Sequence, residues 1–151
     1  MAAALFAPAT DELFLAAAGG GATRNGVAIR TSSGGGLDGA RVAGPKMMLD
    51  RIVASGTGIV PMPRVHSLAL RLTRVAHGAF EAAVAGGNGH DWDLAAADLL
   101  VHEAGGMLTA LDGRVLVYNR PDPVHSVLLA GSCDRHAALA DLIRAQTSEP
   151  V

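Results

Sequence analysis

The chain contains one cysteine, Cys133, in 151 residues, and it is sparing with aromatic (3%) and charged (17%) side chains. A single thiol excludes a disulfide within the chain and suits a reducing compartment. No base stands at a recognisable spacing from Cys133, which reads as inert. A formal net charge of −2 excludes the broad basic surface that a nucleic-acid polymer or an anionic membrane selects. No apolar run approaches the roughly 18 residues of a membrane span. The opening MAAALFAPATDELFLAAAGGGA is apolar, yet it has no positive charge before Arg24, and Asp11 and Glu12 interrupt it, so it does not read as a signal peptide. The histidines form neither HxH nor HExxH spacing, and neither glycine triplet sits in a GxGxxG context. These absences imply a soluble cytoplasmic protein whose histidines mostly serve at the surface or as caps.

Small apolar residues are abundant. Half of the chain is hydrophobic, Ala, Val and Leu supply most of that, and 19 glycines accompany them, so close packing is expected around one ordinary core. AALFA and ELFLAA read as strands separated by the turn-like PATDE, and the Asn-Gly of ATRNGVAI is a hairpin signal. A small, polar linker, TSSGGGLDG, follows and is expected not to pack. Beyond it strands alternate with helices: ARVAG, then PKMMLDRIVAS and SLALRLTRVAHG as helices, FEAAVA, the helix WDLAAADLLVHEA, GMLTAL, SVLLAG and the helix CDRHAALADLIRAQ. That alternation implies an α/β fold with a largely parallel sheet covered by helices. The meander of residues 1–31 has too few strands to cover itself and reads as part of an incomplete first sheet, while 38–146 form an α/β layer. Leu5, Phe6, Leu13 and Phe14 are therefore expected to be less buried than their chemistry favours.

The stretch HDWDLAAADLLVHEAGG, residues 90–106, sets two acids around the only tryptophan at a helix start and ends in a glycine pair. Asp91 and Asp93 are each either a cap or first-turn acid, or a metal ligand. Ala95, Ala96 and Ala97 leave room beside the first turn, and the preceding GGNGH is flexible. Glu103 lies about 15 Å further along the axis and cannot share an ion with Asp93, so it reads as a structural contact. Lys46 is either a solvated helix-start lysine or a phosphate partner. His90 is either a surface residue or part of the site.

The pattern W-D-x-A-A, followed by E-A-G-G, resembles the second signature of the inositol monophosphatase superfamily of magnesium-dependent phosphatases. Trp92, Asp93, Ala95, Ala96, Glu103, Ala104, Gly105 and Gly106 carry it. GGGATRNGVAI, PRVHSLALRLTRVAHGAFEAAVA and LTALDGRVLVYN resemble further segments of that family in the same order. The resemblance implies the C-terminal part of a layered α-β-α-β-α sandwich, with the meander preceding a largely parallel α/β layer. It implies that Asp93 is a Mg²⁺ ligand and that Ser67 and Ala69 line the substrate site; Lys46, His90 and Asp91 are, by their positions, the further candidate substrate contacts. His66 replaces the family's usual glycine before Ser67. The intact site implied by the resemblance holds about two or three Mg²⁺ ions. Their other ligands, from an upstream glutamate segment and a D-P-x-D-G-T motif, do not occur here, so the chain is expected to be a C-terminal fragment inactive alone. A missing N-terminal half or a homo-oligomer is the implied partner.

Inositol-selective members place a glutamate seven residues before the WD aspartate, where this chain has Gly86. AGPKMMLD and GNGHDWDLAAADL resemble bacterial 3′(2′),5′-bisphosphate nucleotidases, which convert adenosine 3′,5′-bisphosphate to AMP in sulfur assimilation. An inositol-1-phosphate or sugar-phosphate phosphatase is the alternative among enzymes. A non-catalytic domain that binds a partner or a phosphorylated ligand is the alternative of another class. Asp93 is expected to face a cleft near Ser67 rather than to fold back as a cap.

Overall fold

The computed structural model describes residues 1–148. It opens with an antiparallel meander, β1 (Ala2–Ala7), β2 (Glu12–Ala17), β3 (Gly21–Arg24) and β4 (Val27–Ile29), adjacent in that order. The Asn-Gly hairpin forms where the sequence signals it. Asn25 and Gly26 both take positive φ, 48° and 79°, the combination a two-residue type I′ turn requires. Strand alternation then sorts the side chains. Phe14, Ala16 and Ala22 are buried on one face, while Phe6 (57% exposed), Leu13 (38%) and Leu15 (43%) stand on the other. The expectation of exposure holds for Phe6 and Leu13 and fails for Phe14, which follows Leu13 in the strand and so points the opposite way; Leu5, paired with Phe14, is half-buried against the same core.

The rest of the chain runs β5 (Arg41–Ala43), α1 (Lys46–Ala54), β6 (Val60–Pro61), α2 (Leu68–Ala76), β7 (Ala82–Ala85), β8 (Gly89–His90), α3 (Asp91–Glu103), β9 (Gly106–Ala110), β10 (Val124–His125), β11 (Leu128–Ser132) and α4 (Cys133–Ser148). A five-stranded sheet takes the order β6-β5-β7-β11-β9. β5 is parallel to both neighbours, and β11 is antiparallel to both of its own. β11 thus runs against four strands that share one direction, and because it lies inside the sheet two of the four pairings are antiparallel, so the sheet is mixed where the alternation of elements implies a largely parallel one. The two-residue strands β6, β8 and β10 are too short to show any periodicity in sequence.

Two cores define the layers. Phe14, Ala16 and Ala22 of the meander pack with Leu72, Val75, Leu94 and Leu100 of α2 and α3, and with Ala83, Leu108 and Leu128 of the second sheet. On that sheet's other face, Val42, Val84 and Leu129 meet Leu49 and Ile52 of α1 and Leu139 and Ile143 of α4. The order is sheet, helix pair, sheet, helix pair. Each fully buried leucine here stabilises the fold by about 2 kcal/mol through apolar burial.

Polar contacts fix the meander to the helices behind it. Glu103, in the last turn of α3, accepts from Gly19 N–H at 2.8 Å and Gly21 N–H at 2.9 Å. This is the structural contact expected of Glu103, and it joins the E-A-G-G segment to the glycine turn before β3. Gly106 is needed for close approach, since a Cβ there would lie 2.7 Å from Thr31 Cγ2 and 2.9 Å from Gly131 O. The polar linker does pack, contrary to expectation. Arg135 of α4 donates to Ser32 Oγ at 2.9 Å, Ser33 O at 2.8 Å and Gly36 O at 3.3 Å, and Leu37 joins the second core. A guanidinium can gather backbone carbonyls from a segment that has almost no apolar surface of its own.

Candidate active site

The carboxyl ends of β5 and β7 lie side by side, and the segments that leave them converge. Pro45, just before α1, comes within 3.5 Å of where a Cβ on Gly86 would stand. Three residues on, Gly89 is buried against Leu68, the first residue of α2; a Cβ on Gly89 would meet Leu68 Cδ2 at 3.0 Å. The first turns of α2 and α3 are therefore neighbours, and their N-terminal dipoles favour an anion between them.

Ser67 is the N-cap of α2, and its Oγ accepts from Leu70 N–H at 3.2 Å. Ala69 lies half-buried in the same turn. Asp93 occupies the first turn of α3, where its Oδ2 accepts from His90 N–H at 3.4 Å and stands 3.9 Å from His90 Nδ1. The carboxylate does fold back, which corrects that expectation, although onto the residue before the helix and not onto an amide of its own first turn. The bond is long and the side chain is 46% exposed, so this oxygen is weakly held. His90 stacks on Trp92 with ring centroids 4.5 Å apart, and Trp92 is 72% exposed.

Asp91 is placed differently from Asp93. Its Oδ1 accepts from His125 Nε2 at 2.6 Å and its Oδ2 from Asn119 N–H at 2.8 Å. The His125 ring N–H, together with the Asn119 amide, holds the Asp91 carboxyl below the usual carboxylate range. Both oxygens are thus engaged in fixing the 119–125 loop to α3. β10 completes that fixing by pairing His125 with Gly89 and Val124 with His90. Lys46 is turned to solvent and paired with Asp50, with Nζ 2.7 Å from Oδ2.

His125, Asn119 and Tyr118 were not legible as site-supporting residues. The Asn119 backbone at φ 59° and the Tyr118 hydroxyl, which donates to Asp98 Oδ2 at 2.8 Å, bring the YNRPDPVH segment over the start of α3. The only available signal was an asparagine and two prolines in a stretch between strands, which marks a turn and not its target.

Among the described residues, no group of three or more His, Cys, Asp or Glu side chains is placed to hold a metal ion. No helix among them is long and apolar enough to cross a membrane.

The family model described as "Inositol monophosphatase family" matches residues 1–149. No curated protein matches the chain. Among solved structures it is similar to the extragenic suppressor protein suhB from Bartonella henselae, at 27% identity and a TM-score of 0.81, covering 95% of this chain and 58% of that one. An inositol monophosphatase from Anabaena (Nostoc) sp. matches at 27% identity and a TM-score of 0.76, covering 94% and 60%. An IMPase/NADP phosphatase solved with NADP and Ca²⁺ shares the fold at 22% identity and a TM-score of 0.81, covering 96% and 56%. The chain spans less than two thirds of the length of each.

Proposed function

The chain belongs to the inositol monophosphatase family, and from that we propose that it is the C-terminal part of a magnesium-dependent phosphate monoester hydrolase acting on a small phosphorylated substrate in the cytoplasm. The observation that carries the reading is the placement of Asp93. The aspartate of the WD pair stands in the first turn of α3, bonded at 3.4 Å to the N-cap residue His90, in the helix whose lead-in residue Gly89 packs on Leu68 of α2.

The residues present do not by themselves make a Mg²⁺ site. Magnesium demands near-octahedral oxygen ligation and dehydrates reluctantly, and one half-exposed carboxylate does not provide it. What its own residues would contribute is orientation: the N-termini of α2 and α3 would favour a bound anion, and Asp93 would offer one carboxylate from the first turn of α3. The remaining carboxylates would come from an upstream half of the fold, joined in cis or supplied as a second chain.

The substrate favoured is adenosine 3′,5′-bisphosphate, converted to AMP, a reaction of sulfur assimilation. Gly86 leaves no acceptor for ring hydroxyls at the position where inositol-selective relatives carry glutamate. An inositol phosphate or sugar phosphate is the other substrate class. The absence of a converging carboxylate cluster among the described residues also supports a second reading, a non-catalytic domain that holds a phosphorylated ligand or partner.

The test is phosphate release by the 151-residue chain in millimolar Mg²⁺, with and without EDTA. The chain alone is expected to be inactive. Restoring the upstream half is expected to produce activity, and Asp93→Asn to lower kcat by orders of magnitude with the fold intact. Continued inactivity after restoration supports the non-catalytic domain. EDTA-sensitive turnover by the chain alone, lost in Asp93→Asn, would overturn the claim that its metal site is incomplete.

A further inference from the structure

A cleft of about 430 Å³ opens where β9 ends and β11 begins, roofed by the 114–117 segment. Its exposed apolar surface comes from Val115 and Val117, its floor is the core residue Leu128, and its polar groups are Arg114, Arg120, His125 and Ser126. Val115 and Val117 are 69% and 58% exposed, large for aliphatic side chains beside a cavity of ligand size. Ala85 at the end of β7 and Ala110 at the end of β9 both pair with Leu128, so the cleft lies at the same end of the sheet as the loop leading to Asp93. Crevices outside the carboxyl ends of strands are where open α/β sheets bind ligands.

Arg120 gives the cleft its chemistry. Its Nε donates to Val117 O at 3.1 Å and its Nη2 to Val124 O at 2.9 Å. Two carbonyls on opposite sides of the loop hold the guanidinium in one orientation, yet it forms no ion pair among the described residues. Its remaining N–H groups are available in a fork suited to an oxyanion. The other cation of the lining differs, since Arg114 is paired with Asp112 at 2.7 Å. Asp91, behind His125, accepts hydrogen bonds from the imidazole and from Asn119, and Arg120 acts on it through space and not through a hydrogen bond. His125 is 6% exposed and forms a wall of the cleft, its Nε2 bound to Asp91.

We propose that this cleft is a binding site for a small organic oxyanion, a carboxylate or a phosphate monoester on a compact apolar body. The oxyanion meets Arg120, and the apolar body lies against Val115 and Val117. The cleft wall, Val124 and His125, is also the strand paired with His90 and Gly89, so a ligand here bears directly on the segment that leads into α3. Occupancy requires neither metal nor an upstream half, so its test stands apart from the phosphatase reading.

The experiment is an amide NMR titration of the ¹⁵N-labelled chain, without metal, using phenyl phosphate, benzoate, inorganic phosphate and benzyl alcohol. Saturable shifts centred on residues 115–117 and 124–128 are expected with phenyl phosphate or benzoate, and the tighter of these identifies the oxyanion. Inorganic phosphate lacks the apolar body and benzyl alcohol lacks the charge; each is expected to bind at least about tenfold more weakly. Arg120→Ala is expected to weaken the aromatic anion by about tenfold or more. Val115→Asp, at a solvent-facing position, is expected to do the same by placing a like charge at the rim. The proposal is overturned by an absence of saturable shifts at millimolar ligand, by equal binding of benzyl alcohol, by shifts centred elsewhere, or by unchanged affinity in both variants.

Discussion

Asp91 and His125, 34 positions apart in sequence, meet through a 2.6 Å hydrogen bond between Oδ1 and Nε2, and the histidine is buried. With the Asn119 amide on the other oxygen, this bond ties the loop before β11 to the first turn of α3. His125→Ala and Asp91→Ala should each leave the fold intact and speed hydrogen exchange at the Asn119, Asp91 and Asn88 amides, whose acceptors all lie within this junction. The double variant should be little worse than Asp91→Ala alone, because losing Asp91 already removes both the His125 and the Asn119 bonds, whereas His125→Ala leaves the Asn119 bond in place. Additive effects on exchange would contradict this.

The latch between meander and α2 should make stability pH-dependent. Arg74 and Thr10 hydrogen bonds outweigh the burial of Glu12 and hold its carboxyl down at about 2. Burial between Arg74 and Arg24 pushes His77 down to about 4. Both folded-state values lie below the unfolded ones, so the unfolded chain takes up protons first and stability is lost as pH falls. The His77 contribution should fade from about pH 6.5 to 4 and the Glu12 contribution from about pH 4.5 to 2. Glu12→Gln should flatten the lower part of the profile and, by leaving Arg74 largely buried without its partner, cost about 3 kcal/mol in urea unfolding. A profile for Glu12→Gln parallel to that of the parent chain below pH 4.5 would refute the assignment.

The outer face of the meander should cause association. Phe6, Leu13 and Leu15 form an uncharged exposed patch next to β1, an edge strand with the sequence AAALFA and no charge or proline to protect it. The chain is expected to self-associate with rising concentration and to bind an apolar dye. Leu15→Lys should reduce both. A clean monomer at high concentration without dye binding would show that this face is not sticky.

Substrate choice should respond to Gly86. A Cβ there makes only an ordinary 3.5 Å contact with Pro45, and the residue has no positive φ, so a side chain fits. With the upstream half restored, the parent enzyme should show higher kcat/KM for adenosine 3′,5′-bisphosphate than for inositol 1-phosphate. Gly86→Glu should move the ratio towards inositol phosphate by about tenfold or more, the order expected when a hydrogen-bonding acceptor for a substrate hydroxyl is gained. An unchanged ratio would place selectivity elsewhere.

What the sequence determined by itself is local or periodic. The Asn25-Gly26 turn follows from backbone conformations few other pairs adopt, and the helices over Leu68–Ala76 and Asp91–Glu103 follow from apolar spacing and terminal residues. The WD and E-A-G-G pattern carried the family, because a long, specific string needs no three-dimensional information to be matched. Tertiary structure decided which face each strand buries against a partner, and so separated Phe14 from Phe6 and Leu13. It also decided what each acid touches. Asp91 and Asp93 look alike in sequence, but successive helical residues are rotated by about 100°, so two positions apart they face nearly opposite ways. Asp91 meets His125 and Asn119 from a distant loop, while the contacts of Asp93 are with His90, the residue just before its own helix. The partner of a side chain across 34 residues is set by how the loop closes over the sheet end, and no local pattern encodes that closure.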